Sequence, residues 1–260
     1  IKGAGMDQTV LSFRNLKSGG EGVKIVGKEI TIENLSIEDA PGDGIKAQHT
    51  DGITFRKINV TWTNGDKSKN GTYAIYPVQC KNVVIDECIA SHSKDAGIYV
   101  GQAEDIVVKN SLAFGNVAGI EIENCIGADV YDNVSKNNTG GILVFSLPGL
   151  TIKNGTDCRV FNNTITANNH ENFAKEGAMV ATVPSGTGLM IMANDRVEAT
   201  GNTFGEEMLA PHVAYTPMFE AIDKGYIRGI AHLTGGGFQN NIDRVLPATC
   251  NARIDTKNWE

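Results

Sequence analysis

Four residues able to do acid–base chemistry occupy the same place in a phrase that recurs along this chain. The phrase is a small residue, a branched apolar residue, a variable residue and another apolar one. It reads Gly44-Ile45-Lys46-Ala47, Ala74-Ile75-Tyr76-Pro77, Gly97-Ile98-Tyr99-Val100 and Gly119-Ile120-Glu121-Ile122. The variable position thus carries Lys46, Tyr76, Tyr99 and Glu121 in succession. Lysine, tyrosine and glutamate can each give or take a proton. Two tyrosines side by side also make an apolar platform with polar tips, on which a sugar ring can stack. The alternative is that Tyr76 and Tyr99 are β-formers in register and that Glu121 and Glu123 are solvated surface residues.

The elements that position these residues follow from the period. The phrase also occurs at Gly22-Val23, Gly141-Ile142 and Gly188-Leu189, and successive branched residues lie 22, 30, 23, 22, 22 and 47 positions apart. A period near 22 marks a solenoid, in which each unit is too short to bury its own apolar face and must stack on the next. A leucine-rich horseshoe is excluded by the use of Ile and Val in place of a leucine consensus. Three short β-branched stretches fit each period, for example 97–100, 106–108 and 112–114, separated by Gly, Asn and Asp. The expected fold is all-β, a single-stranded right-handed parallel β-helix with three strands per rung of about 22 residues. Ile45, Ile75, Ile98, Ile120, Ile142 and Leu189 should form one inward stack, and Ala47, Val100, Ile122, Val144 and Ile191 the next, because strand side chains alternate in and out. Asn34, Asn110, Asn133, Asn163 and Asn202 are expected to share one corner after the second strand, with Lys57 and Glu87 in the matching rungs. Asparagine suits such a corner because it tolerates left-handed backbone and can bond up the axis. A second polar column, His49, Gln79, Gln102, Asn124 and Ser146, is expected at the turn after the first strand.

The chain has 260 residues, net charge −7 and 41% hydrophobic residues. The acidic balance speaks against nucleic-acid binding, which wants a basic surface. No apolar run reaches the length of a membrane span. Five cysteines form no metal-ligand or redox spacing, so they read as small core residues, and no metal site is predicted. Calcium has acidic residues to choose from but no D-x-D-type loop, which leaves the cofactor unknown. The repeat assigns residues 1–204 to the β-helix. Beyond it, residues 205–260 lose the period and read as an irregular C-terminal extension that packs on or caps the solenoid through Phe219, Tyr226, Phe238 and Trp259. The chain opens on Ile1 within a strand-like stretch, as a mature protein or a fragment would.

Insertions into the repeat locate the candidate site, because loops on a rigid scaffold carry function. About seven extra residues sit around 62–72 and about seventeen around 168–187, both just ahead of a first strand. A further insertion of about eight, 147–156, follows the first strand of the rung of Ile142. The two same-corner loops should bracket a groove about 19 Å long over four rungs. Its floor is Lys46, Tyr76, Tyr99, Glu121, Leu143 and Met190, with Gln48, Gly101, Glu123 and Phe145 two residues on. Asp43, Tyr73, Asp95 and His92 overlook it. The candidate catalytic residues are Tyr76, Tyr99, Glu121 and Lys46; the candidate substrate-binding residues are Asp43, Tyr73, Asp95, Gln102 and Glu123.

The opening 1–11 resembles the first rung of many pectin-lyase-type solenoids. The stretch 44–202 is similar to the bacterial parallel β-helix repeat proteins, whose repeats are related to those of the mannuronan C5-epimerases and other carbohydrate-active solenoids. Asp95-Ala96-Gly97-Ile98-Tyr99-Val100-Gly101-Gln102 and Ala118-Gly119-Ile120-Glu121-Ile122-Glu123-Asn124 carry the likeness best. The resemblance implies an exported protein, periplasmic or extracellular, that acts on or binds polysaccharide, and a c-type cytochrome as a partner. The chain itself has no Cys-x-x-Cys-His haem site. It also lacks the Asp-Pro-His-Asp stretch of alginate epimerases, the Asn-Thr-Asp, Asp-Asp and Gly-His-Gly segments of polygalacturonases and the Trp-Ile-Asp-His stretch of pectate lyases, so no catalytic set transfers. Three readings stand. The first is an enzyme. As a polyuronate lyase or epimerase it would use Tyr99 or Tyr76 as acid/base, Lys46 to neutralise the uronate carboxylate and Glu121 as partner; as a glycosidase it would pair Glu121 or Glu123 with Asp95. The second is a module that binds glycan or protein through the same groove without turnover. The third is a structural surface protein.

Overall fold

The computed structural model describes residues 1–16, 18–63 and 67–205. The extension 205–260, its aromatic anchors and Cys250 therefore lie outside the described residues, apart from Gly205 itself. So does part of the 62–72 insertion.

Seven parallel strands form the first sheet: Val23–Ile25, Ile45–Gln48, Ile75–Val78, Ala96–Gly101, Ala118–Glu123, Gly140–Phe145 and Thr187–Met192. The second and third strands of each rung belong to one 13-stranded sheet. The two limbs join because Lys28–Glu38 and Asp51–Thr61 run unbroken through the corner that divides later rungs. Val10–Ser12 pairs with Ser36–Glu38, and Lys2 bridges to Glu33, so the opening residues supply part of an earlier rung.

The inward stacks form as the period dictates. Ile45, Ile75, Ile98, Ile120, Ile142 and Leu189 are successive register partners, and all but Leu189 are fully buried. Val100, Ile122, Val144 and Ile191 follow in the next column, with Ile191 exposed on the last described rung. The small residue that opens each strand has a steric cause. A Cβ on Gly119 would lie 2.7 Å from the carbonyl oxygen of Gly141 and closer still to the Ser135 hydroxyl. Cys80, Cys88, Cys125 and Cys158 are buried free thiols that fill interior space.

The asparagine corner is two columns, one residue apart. Asn34, Lys57, Glu87, Asn110, Asp132 and Asn162 take positive φ and make the turn. Asn133, Asn163 and Asn202 sit one position later and point inward as a ladder. The Asn133 side chain accepts the Ser111 N–H at 3.0 Å and donates to Val108 O at 2.9 Å and to Asn163 Oδ1 at 3.0 Å. Asn163 repeats this with Asn133, Val130 and Asn202. The single column expected from the sequence therefore merges two roles: the spacing of Asn34 and Asn110 differs by one from that of Asn133. A second ladder, Asn116, Asn138 and Asn168, closes the corner before the first strand, a column not expected from the sequence. The column His49, Gln79, Gln102 and Asn124 is a turn ladder with positive φ, as its spacing suggests.

The two columns should differ in cost. Asn133→Ala strands a buried N–H and a carbonyl oxygen, and should cost about 2–3 kcal/mol in chemical denaturation. Asn110→Ala leaves an exposed turn residue in left-handed backbone and should cost about 1 kcal/mol. Equal losses would mean that the amide ladder adds nothing beyond the turn.

Candidate functional site

The outward face of the first sheet gathers the side chains that could do chemistry. Lys46 stands beside Tyr76, Tyr99 beside Glu121, then Leu143 and Met190, in parallel register. The rings of Tyr73, Tyr76 and Tyr99 form a three-sided cluster, with centroids 4.6 Å (73–76), 4.5 Å (73–99) and 5.0 Å (76–99) apart. Tyr73 enters from the turn before the strand, where its N–H donates to Asp43 Oδ1 at 3.4 Å. The Lys46 ammonium lies 4.6 Å from the Tyr76 ring centre and 3.6 Å from Glu21 Oε1. Glu21 belongs to the site and was not foreseen; the signal was its place just before Gly22-Val23, in the column of Asp43 and Tyr73.

The groove is shorter than the insertions imply. The 168–187 segment folds across the sheet and does not stand beside it. Val180 and Val183 pack with Tyr99, Leu143 and Phe145, and Phe173, Ala178 and Met179 add to the same cluster. Glu121, between Tyr99 and Leu143, is left 2% exposed, and its Oε1 has no hydrogen-bond partner. The alternative of a solvated surface residue therefore does not hold for Glu121, which is a buried acid. The signal in the sequence was the run Ala178-Met179-Val180-Ala181, too apolar for a free loop. The open part of the face is confined to the rungs of Lys46 and Tyr76, since Tyr99 is buried.

Tyr99 pairs with Glu123, not with Glu121: its hydroxyl donates to Glu123 Oε2. The two glutamates alternate along one strand, and only Glu123 ends beside the hydroxyl. His92 and Gln102 are not brought to this cluster. His92 turns to the outer face of the third strands, edge-on to Phe114 at 5.4 Å, beside a hollow of about 570 Å³ lined also by Thr61 and Ser91. Gln102 Oε1 accepts the Thr151 N–H at 3.1 Å, so it anchors the 147–156 insertion beside a smaller hollow of about 240 Å³.

Burial sets the protonation of the whole group. It pushes the Asp95 carboxyl up to about 7, with the charges of Glu123 and Asp43 adding to the effect. Glu121 is raised well above the usual carboxylate range by burial, then by Asp95 and Glu123. Glu123 is raised by burial and partly restored by the Tyr99 hydroxyl. Asp43 is raised by burial, against the opposing pull of Lys46. Tyr76 is pushed up to about 12, and Tyr73 and Tyr99 further, by burial and neighbouring carboxylates. A tyrosine held in this way keeps its proton near neutrality. Among the described residues, no group of three His, Cys, Asp or Glu side chains could hold a metal ion.

Residues 21–204 match the family described as the right handed beta helix region. The chain belongs to that family. The family fixes the scaffold and leaves the chemistry of the face to its own side chains. Among curated proteins, the chain is 48% identical over 65 residues to phosphoribosylformylglycinamidine cyclo-ligase of Carboxydothermus hydrogenoformans, covering 25% of this chain and 19% of that one. It is 42% identical over 67 residues to the chloroplastic counterpart of Arabidopsis thaliana, covering 25% and 17%. The chain thus spans about a fifth of the length of these relatives. Among solved structures, it is similar to the A-module of the Azotobacter vinelandii mannuronan C-5 epimerase AlgE6, at 14% identity and TM-score 0.38, over 78% of this chain and 82% of that one. The periplasmic alginate epimerase AlgG matches at 13% identity and TM-score 0.39, over 76% and 57%. Pectate lyase Pel9A matches at 15% identity and TM-score 0.20, over 92% and 67%. No residue role is carried over from any of these proteins. No helix among the described residues is long and apolar enough to cross a membrane.

The raised Asp95 carboxyl has a stability consequence for this β-helix. Below about pH 4 Asp95 is neutral folded or unfolded, and its contribution is fully present. Between about pH 4 and 7 the unfolded chain ionises it while the folded chain does not, so stability falls as pH rises. Asp95→Asn should flatten this slope, leaving the variant more stable than wild type at pH 8 and not at pH 4, as read by melting temperature. A parallel pH dependence in both proteins would show that Asp95 ionises freely.

Proposed function

We propose that this β-helix is a polysaccharide-active protein that binds a sugar against Tyr73 and Tyr76 and cleaves a glycosidic bond with Asp95 and Glu123. The observation that carries the reading is the Tyr99 hydroxyl donating to Glu123 next to an Asp95 carboxyl raised to about 7. Two carboxyl groups in environments that push their proton affinities apart are the requirement of glycoside hydrolysis. Asp95, still protonated near neutrality, gives its proton to the departing oxygen. Glu123, raised by burial but partly restored by the Tyr99 hydroxyl, is the member of the pair that attacks or activates water on the opposite side. Half-buried Tyr73 and Tyr76 present ring surface to the sugar. Lys46 orients Tyr76 and offsets Glu21. Asp43 holds the backbone that aims Tyr73.

Charge balance supports hydrolysis over a polyuronate lyase or epimerase. Glu21, Asp43, Asp95 and Glu123 surround the open face, and Lys46 is already engaged by Glu21. A uronate chain would meet repulsion there, and its proton abstraction would need a base where the tyrosines hold their protons. An exported location, implied by resemblance, belongs to the same proposal.

The test is incubation with a panel of neutral, amino and uronate polysaccharides. New reducing ends without unsaturated products are expected. Turnover should fall as pH rises through about 7, since the acid must be protonated. Asp95→Asn and Glu123→Gln should each lower kcat by about 100-fold or more. Tyr76→Ala should mainly raise KM. Unsaturated products from a polyuronate would favour the lyase, binding without turnover would make the protein a module, and indifference to every glycan would remove the reading altogether.

A further inference from the structure

Resting on the glycan reading above, we infer that the 168–187 segment is a strap which polysaccharide displaces, and that the row beneath it, Tyr99, Glu121, Leu143 and Phe145, is a second subsite that takes a neutral sugar unit.

The need for movement comes from access. Asp95 is 9% exposed, Glu123 8% and Tyr99 5%. A glycosidic oxygen must come within hydrogen-bond reach of the acid that protonates it. Tyr99 and Glu123 stand on the outward face of the first sheet, so the sheet itself does not bury them. The cover on that face is the strap, whose Val180 and Val183 pack with Tyr99, Leu143 and Phe145.

The strap is hydrogen-bonded to itself and not to the strands below it. Asn172 Nδ2 donates to Val180 O at 3.0 Å and to Val183 O at 2.9 Å, and the Ala174 N–H donates to Asn172 Oδ1 at 3.0 Å. The N–H groups of Ala178, Ala181 and Val183 each donate to the carbonyl three residues earlier. Among the described residues, every hydrogen bond of residues 174–184 ends within 172–187. Bonds to the solenoid are confined to the two roots. The His170 N–H donates to Asn138 O at 3.1 Å, and the Gly186 N–H to Thr139 O at 3.2 Å and Asn168 O at 2.8 Å. Gly186 takes φ +93°, in the region that favours glycine. The strap can therefore lift as one piece about pinned ends, losing apolar contact and no hydrogen bond to the sheet.

The covered row has what a sugar needs. Phe145 and Leu143 are fully buried on an outward column, and supply an aromatic and an aliphatic surface for a ring. Glu121 Oε1 is buried without a hydrogen-bond partner, a cost of the closed state that a sugar hydroxyl removes. Glu121 and Glu123 alternate along this strand, so a uronate unit would meet like charge and a neutral one would not. With the strap lifted, the face runs from Lys46 to Met190, the length that the insertions imply.

Two measurements test this. Val180→Cys is treated with iodoacetamide and its modification compared with that of Cys125, a buried core thiol that reports global unfolding. The introduced thiol should react at least tenfold faster; reaction at the pace of Cys125 means a fixed segment and overturns the inference. The second measurement staples the strap shut. A Cβ on Gly140 would lie 3.0 Å from Val183 Cγ1, which brings the β-carbons of Gly140→Cys and Val183→Cys within the about 3.5–4.5 Å that a disulfide spans. Dimers and hexamers of cellulose, xylan and chitin are titrated calorimetrically into the oxidised and the reduced double variant and into wild type. Oxidation should weaken hexamer binding about tenfold, leave dimer binding on the open rungs unchanged, and be reversed by reductant. Hexamer binding that is equally tight in the oxidised and reduced forms overturns the covered subsite and leaves the glycan reading intact. Absence of binding of every dimer and hexamer by wild type removes both.

Discussion

Everything in this molecule depends on parallel strand pairing at a spacing of one coil. Each rung hydrogen-bonds to the rung before and after, and the pairing is in register from Val23 to Met192 on the first sheet. The close approach of backbones at the strand starts admits only small residues, as the contact between Gly119 and Gly141 illustrates. Because side chains alternate, a fixed register converts sequence spacing into vertical columns. An isoleucine column gives the core, and the neighbouring column gives a row of functional groups on a rigid floor.

The corners hold that register in place. Left-handed residues turn the chain, and in the later rungs a buried amide one position on, Asn133 or Asn163, ties the turn to its neighbours by hydrogen bonds to three partners. The fit between these ladders and the interior stack leaves little freedom for a rung to slip. A rigid floor matters for the face above it, because the tyrosine cluster and the Tyr99–Glu123 contact span two rungs and would be lost if one rung moved.

On that face the decisive influence is exclusion of water. The 168–187 segment lays Val180 and Val183 on the sheet and closes off Glu121. The same exclusion raises the affinity of every nearby carboxyl for its proton and keeps the tyrosines protonated. A row of residues that could serve as bases in water becomes a group of proton donors and ring surfaces. It is on this ground that acid-assisted cleavage of a glycosidic bond is proposed over abstraction of a carbon-bound proton.

The columns were legible in the sequence because strand geometry is strictly periodic: Ile45 to Leu189 and Lys46 to Met190 follow from counting. The corner was read less well, since Asn34 and Asn133 differ by one place and counting alone cannot tell a turning residue from an inward amide. The burial of Glu121 was not legible because its environment comes from Val180, nearly sixty residues later in the chain. The sequence by itself determined the coil, its core and the row of side chains on the first sheet, all consequences of local alternation and a repeated period. Only the tertiary structure decided that the long insertion lies across that row, that Tyr99 meets Glu123, and that the carboxyls are buried together, because burial and partner choice depend on where a non-repeating segment comes to rest.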